Sequence, residues 1–247
     1  MPDASSHPLF IYLSPHLDDA VFSAGGLIRQ QTRKGSRVEI WSICAADAPP
    51  GELPPFARSL HDRWQAGEQP VAARRREDLL ACERVGASPT HFSLPDCIYR
   101  RTADGAPLVQ TEQDLFQPLP PSELALAQSL AGEITAKLPQ GAVLVCPLGL
   151  GGHIDHRLVR RAAELTGRPL LFYADFPYAL RQPPDLAGLG SAFSAALTTE
   201  DLRAWQEGIA AYPSQISSFW PSLEAMRAVV AAYAAEGGGS NLWNTSG

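Results

Sequence analysis

The sequence predicts an α/β fold: a single Rossmann-like domain with a mostly parallel sheet, helices on both faces and a helical C-terminal region. Three observations carry this expectation. Short β-rich apolar runs alternate with stretches of helical periodicity over most of the 247 residues, the pattern of strand–helix–strand crossovers. The apolar runs are brief and continuous, as buried strands are. No internal repeat and no clear linker divides the chain, and its length suits one large domain spanning residues 1–247.

The elements follow in order. Residues 9–13 read as the first strand and 20–34 as a helix, with Gly35 placed to end it in a left-handed turn. Residues 37–44 are the second strand. Residues 45–70, rich in Pro, Gly and polar side chains, read as a long loop with one helical turn around 56–64. Leu79, Leu80, Cys82 and Val85 fall at helical spacing within 71–85, a helix ended by Gly86. Residues 91–94 form a third strand, and 95–121 a second irregular stretch. The Ser122 hydroxyl is suited to cap a helix running to Leu138. Residues 142–146 are the clearest buried strand, followed by the Gly-rich 148–152, a helix over 156–165 and a strand over 169–174. From about Leu197 the pattern is helical, and residues 236–247 read as a loose tail.

Composition narrows the function. Hydrophobic residues make up 45% and charged residues 19%, so a full core is available. A net charge of −6, spread without acidic blocks, argues against nucleic acid, since a phosphate-tracking surface needs clustered Lys and Arg. The one basic run, Arg74-Arg75-Arg76, meets Glu77 and Asp78 at once, as a solvated helix face does. Cys44, Cys82, Cys97 and Cys146 lack paired spacing and read as buried reduced thiols. No leader pattern and no apolar run near the roughly 20 residues of a membrane span is visible, so the expectation is a cytoplasmic protein without a membrane partner. The expected partner is a small molecule, and self-association into a homo-oligomer stays open.

The chemistry lies in two motifs. Ser14-Pro15-His16-Leu17-Asp18-Asp19 follows the first strand, and His153-Ile154-Asp155-His156 follows the strand at 142–146. Ligands of open α/β sheets gather at the carboxyl ends of strands, where both motifs fall. Together they supply two imidazoles and a carboxylate for a metal, with an open position for water, and further groups for acid–base work. Each motif alone has a plainer reading, Asp-Asp as a negative helix start and His-x-x-His as a surface pair. The Gly149-Leu150-Gly151-Gly152 run lacks the full dinucleotide fingerprint, and no Gly-x-Ser-x-Gly elbow is present.

These residues resemble the LmbE-like (PIG-L) deacetylase superfamily, whose members remove N-acetyl groups from glucosamine conjugates. Its His-Pro-Asp-Asp-Glu signature stands here as His16-Leu17-Asp18-Asp19-Ala20, and its His-Pro-Asp-His as His153-Ile154-Asp155-His156. The resemblance implies that His16, Asp19 and His156 bind Zn2+. It implies Asp18 as general base, His153 as helper of the oxyanion or leaving amine, and Asp155 as the group orienting a histidine. Phe92 to Asp96 looks like a Leu-Pro-Asp loop, with Asp96 near the sugar, and Ile209 to Gln215 like a Tyr-x-Ser-Gln region. Leu17 and Ala20 depart from the signature, and Ala20 removes a charge.

Further candidates for the substrate are Arg74 or Arg75, suited to an anionic or hydroxylated part, and Asp175, which follows a strand. His7, His61 and His91 have no partner pattern. The expected activity is a metal-dependent hydrolase removing acetyl from an N-acetylglucosamine-type conjugate. Two other readings use the same residues: an Fe2+ enzyme with two histidines and one carboxylate, and a degenerate relative that binds a sugar conjugate without turnover.

Overall fold

The computed structural model describes residues 7–185 and 187–245. Its centre is β1 (Leu9–Ser14), paired in parallel with β2 (Arg37–Ser42) on one side and β4 (Val143–Pro147) on the other. β3 (Ser88–His91) extends the sheet beyond β2, and β5 (Leu170–Tyr173) extends it beyond β4, both in parallel. β7 (Asn241–Thr245) then pairs antiparallel with β5 and with β6 (Leu189–Ser194). The order β3-β2-β1-β4-β5-β7-β6 makes a mixed α/β sheet, mostly parallel, whose connections leave in opposite directions at β1 and β4. That divergence opens a crevice at their carboxyl ends.

The core obeys strand periodicity. Along β1, Phe10 and Tyr12 enter one apolar cluster while Ile11 and Leu13 enter the other, as alternation across a sheet requires. The first cluster is closed by α1 (Asp19–Arg33), α3 (Pro70–Val85), α6 (Thr199–Ala210) and α8 (Leu223–Ala235). The second is closed by α4 (Pro121–Lys137) and α5 (Ile154–Leu165). α1 and α6 approach closely because Gly25 has no side chain: a Cβ there would lie 2.5 Å from Trp205. Trp205 Nε1 also donates to the Phe22 carbonyl at 3.0 Å. Among the described residues no helix is long and apolar enough to cross a membrane.

Gly35 (φ 95°) and Gly86 (φ 79°) follow α1 and α3 in the left-handed conformation that their positions predict. Other expectations need correction. The third strand lies three residues earlier than 91–94, because β2 pairs Glu39 with Ser88 and runs out at Ser42 opposite His91. The turn expected at 56–64 is a ten-residue helix, α2 (Pro55–Trp64), whose Ala57, Leu60 and Trp64 are buried in a third apolar cluster. α4 has no side-chain cap: Pro120, not Ser122, takes the N-cap position, and Pro121 takes the first helical position, where its missing N–H has no partner to lose.

The largest correction concerns the chain end. Residues 241–245 of the expected loose tail form β7, inserted between β5 and β6, with Leu242 fully buried (0% exposed). Only two of its five residues are large and apolar, so backbone pairing rather than hydrophobic pattern defines it. Leu242→Ala is expected to cost about 2–5 kcal/mol in denaturant unfolding. A loose tail would leave the midpoint unmoved.

Candidate functional site

The turn from β1 into α1 is tied from several sides. Ser14 Oγ donates to the His16 carbonyl (2.5 Å) and accepts from Ala20 N (3.0 Å). Ile43 N and Cys44 N, just after β2, donate to the carbonyls of Ser14 and Pro15. The Tyr212 hydroxyl lies 2.8 Å from the Leu17 carbonyl and 2.7 Å from Asp78 Oδ1. Across the crevice, β4 runs into Gly149, Gly151 and Gly152, all at positive φ. Gly151 is required by space as well, because a Cβ there would lie 2.4 Å from Tyr178. His153 then caps α5, its Nδ1 accepting from Asp155 N at 3.2 Å.

This framework brings three imidazoles together. Ring centroids are 4.9 Å apart for His16 and His153, 5.6 Å for His16 and His156, and 5.3 Å for His153 and His156. Asp19 sits between two of them, with Oδ2 at 3.1 Å from His16 Nδ1 and Oδ1 at 3.3 Å from His156 Nε2. The outer nitrogens are held by other carboxylates. His16 Nε2 meets Asp155 Oδ2 at 3.1 Å, and His156 Nδ1 meets Asp175 Oδ1 at 2.6 Å. Each outer N–H therefore donates away from the site, and the inner nitrogens hold the protons that pair with Asp19, the positions a cation would take in their place.

Electrostatics point the same way. Burial would lower the His16 imidazole, yet Asp96, Asp155 and Asp19 outweigh it and hold its pKa well above the usual value. Burial opposes His156 too, but Asp19 and Asp175 push it up to about 10. Burial would raise Asp19, whereas the His156 and His16 imidazoles hold it well below the carboxylate range. The cluster is thus an electrostatic well for a cation. Burial and the neighbouring imidazoles of His16 and His156 keep His153 neutral, far below its ordinary pKa. With Nδ1 accepting, its proton sits on Nε2.

Two imidazole nitrogens and a carboxylate at close range fit zinc or ferrous iron as chemistry. His16, His153 and His156 also offer nitrogens within 4.8 Å of one another, but the tautomer of His153 makes it a hydrogen-bond donor in this arrangement. Asp18 is adjacent. Burial and Asp19 raise its pKa to about 6, and Arg74, with Nη2 3.5 Å from Asp18 Oδ1, opposes the rise.

The sequence-derived residues occupy different positions around this cluster. His16, Asp18, Asp19, Arg74, Asp96 and His153 line a cavity of about 530 Å3. Asp96 accepts from Ile98 N through Oδ1 (3.1 Å), and its Oδ2 is 3.6 Å from His16 Nε2. Asp155 is buried behind His16, accepting from Cys97 N (3.0 Å) and paired with Arg100 at 2.7 Å. Two substrate candidates fall elsewhere. Arg75 bonds the Ala45 carbonyl (2.7 Å) and Asp47 (2.8 Å), so it pins a loop instead of lining the cavity. Asp175 stands behind His156, where it also accepts from Leu150 N, because the β5 terminus turns it inward. Ala20 is wholly buried in the α1-side core and lines no part of the cavity. Sequence reasoning missed Arg100, which is paired with Glu123 (2.6 Å) as well as Asp155. No periodicity marks it in the irregular stretch that holds it.

A doubly wound α/β sheet with two histidines and a carboxylate converging at its switch point defines a protein with a metal-type donor set. The chain belongs to the PIG-L family, described as GlcNAc-PI de-N-acetylase, whose profile matches residues 11–166. It is similar to 2'-N-acetylparomamine deacetylases from Niallia circulans (28% identical over 194 residues) and Streptomyces fradiae (29% over 177 residues). Each match covers 68% of this chain; the matched stretches span 67% and 57% of those proteins' own lengths. The solved structure of the zinc-inhibited form of teicoplanin deacetylase Orf2 superposes with a TM-score of 0.80 at 27% identity, covering 96% of this chain and 97% of that one.

If the outer carboxylates orient the imidazoles, Asp175→Asn weakens zinc retention about 10- to 100-fold in competition with a chelator. Arg75→Ala leaves retention unchanged. Equal retention in all three proteins would separate Asp175 from the donor set.

Proposed function

We propose that the protein is a metal-dependent hydrolase that removes the N-acetyl group from an N-acetylglucosamine-type sugar conjugate. The observation that carries this reading is the convergence of His16 Nδ1 and His156 Nε2 on Asp19, with His16, Asp18 and Asp19 on the wall of one cavity and His156 buried behind it. Membership of a family described as a de-N-acetylase, and relatives named as deacetylases, support it.

His16, Asp19 and His156 would hold the ion, zinc by preference and ferrous iron as the second choice. When bound, it supplies Lewis acidity toward the amide carbonyl and makes a water acidic enough to ionise near neutral pH. The remaining steps belong to the chain. Asp18 accepts the proton of the attacking water and passes it to the departing amine, which leaves acetate and the free amino sugar. Its pKa of about 6 is suited to that exchange, because it is ionised at neutral pH yet basic enough to take a proton. His153, neutral and protonated on Nε2, donates to the carbonyl oxygen as negative charge develops there. Arg74 holds Asp18, and its guanidinium is itself stacked 4.7 Å from the Trp64 ring centroid. Asp96 is positioned to accept from a sugar hydroxyl.

The two other readings lose their support. Ala20 packs in the core and removes no group from the cavity, so it gives no reason to infer a degenerate binder. An oxygenase reading has only the donor set in common with this site.

Asp18→Asn should retain zinc while kcat falls about 10²- to 10⁴-fold, measured as acetate release. Loss of zinc in that variant would refute the base assignment. The pH profile supplies a second check. Protonation disables the base, so activity falls on acidification, with the limb centred at or below about pH 6, because a bound cation can only lower the carboxyl. A limb unchanged in Asp18→Asn would assign the proton transfer to another group. A chelator abolishes turnover, and added zinc restores it.

A further inference from the structure

On the proposed reading of Asp18 as the base, we infer that Tyr212 and Asp78 are positioning residues, which aim the Asp18 carboxylate by fixing the Leu17–Asp18 peptide. Asp18 takes the N-cap position of α1, yet its side chain caps no backbone N–H. An aspartate there ordinarily turns its carboxylate back onto the first helical turn. Ser14 Oγ has taken over that bond by accepting from Ala20 N, and Asp19 Oδ2 accepts from His16 N at 2.8 Å. The Asp18 carboxylate is thereby released to the cavity, where its contact with Arg74 is a long one, at 3.5 Å. A bond of that length aims it weakly, so its direction is set by the backbone that carries it. Three successive carbonyls anchor this backbone. That of His16 accepts from Ser14 Oγ, and that of Asp18 accepts from Phe22 N at 2.8 Å. The Leu17 carbonyl between them lies 2.8 Å from the Tyr212 hydroxyl, 195 residues away. Because that carbonyl and the Asp18 N–H share one planar peptide, a partner that holds the first also sets where the Asp18 side chain begins.

Tyr212 is itself held from several directions. It takes the N-cap position of α7 (Pro213–Phe219), which Glu77 ties to α3 by accepting from Ser214 N (3.1 Å) and Ser214 Oγ (2.5 Å). Its ring is wholly buried, edge-on to Phe22 at 5.6 Å. Its hydroxyl proton is shared between the Leu17 carbonyl and Asp78 Oδ1, 2.7 Å away. Asp78 is 0% exposed, and its Oδ2 meets His91 Nε2 (2.7 Å) and Ser42 Oγ (3.3 Å), which face each other at the ends of β3 and β2. Those two partners would serve a carboxylate that only joined strands to α3. The further bond, through Tyr212, leads to the reactive turn. Arg74 and Asp78 stand one turn apart on the same face of α3. One helix therefore fixes Asp18 twice, its side chain through Arg74 and its backbone through Asp78 and Tyr212.

The test is a double-mutant cycle between Tyr212→Phe and Asp18→Asn, read as acetate release from methyl N-acetyl-β-glucosaminide by the zinc-loaded proteins. Tyr212→Phe keeps the ring that packs on Phe22 and removes only the hydroxyl. The expected result is a kcat lowered about 10- to 100-fold, with KM within about twofold of the wild type. Combined with Asp18→Asn, it causes no further loss, because both substitutions act on one group. Asp78→Leu lowers kcat in the same way, and the conservative Asp78→Asn rescues it. The amide accepts from His91 and Ser42 through its oxygen and donates to the Tyr212 oxygen through its nitrogen, which leaves the hydroxyl proton to Leu17. Leu242→Ala, a destabilised variant whose site lies outside the cavity wall, controls for lost stability and keeps kcat. An unchanged kcat in Tyr212→Phe, or a loss that recurs in full on top of Asp18→Asn, would overturn this inference alone. Asp78→Asn as slow as Asp78→Leu would remove Asp78 from the path. Wild-type kcat in Asp18→Asn would overturn the base assignment, and the positioning of that base with it. Should the wild type release no acetate, the N-acetyl reading fails, and crystal structures of the wild type and Tyr212→Phe decide the positioning. A displaced Asp18 carboxylate upholds it, and an unmoved one overturns it.

Discussion

A buried carboxylate behind each converging imidazole is the constraint on which the rest of the site depends. His16 arrives from the end of β1 and His156 from the start of α5, so no local geometry aligns them. Asp155 and Asp175 do so by taking the outer N–H groups, at 3.1 and 2.6 Å. Once those bonds are fixed, the inner nitrogens face Asp19. The two motifs are therefore interlocked: Asp155 belongs to the second but orients the histidine of the first.

Holding carboxylates in such a place is expensive, and the fold meets the cost with specific partners. Asp155 is enclosed by His16, Arg100 and the Cys97 N–H, and Arg100 is itself balanced by Glu123. Buried ion pairs of this kind add little net stability, because desolvation roughly cancels their attraction. Their contribution is geometric. Arg100, whose Nη1 also donates to the Pro95 carbonyl, and Cys97 lie in the irregular stretch before α4, so the Asp155 cluster ties that loop to the reactive end of the sheet. The apolar mass that stabilises the protein lies elsewhere, in the clusters on the two faces of the sheet.

Much of this was legible in the sequence, because its strongest signals are local. The first strand, its helix and the glycines at 35 and 86 follow from period, length and left-handed turns, each set within a few neighbouring residues. The two His/Asp motifs were visible because the family resemblance rests on short contiguous runs. The elements that escaped are defined by distant partners. β7 exists because β5 and β6 offer edges to it, and β3 is shifted because β2 sets its register. The same holds in the site. Asp175 follows a strand, as a cavity residue does, but which way its side chain turns depends on His156, 19 residues away. Arg75 and Arg74 are adjacent on α3, so helical rotation sends one to Asp18 and the other to the Ala45 carbonyl.

The division between sheet and loops also separates the groups proposed to act on the amide from most of the wall around them. The donor set, Asp18 and His153 sit on turns fixed directly to β1 and β4, where a displacement of even one residue would break the hydrogen bonds behind the imidazoles. Much of the remaining cavity wall comes from α2, the short helix at 113–116, the loop after β5 and the helix Pro213–Phe219, none of which contributes a donor to that set. The proposed chemistry thus rests on two contiguous motifs, and the rest of the cavity wall on residues scattered from Leu60 to Val229, which is why the first could be read from sequence and the second needed the fold.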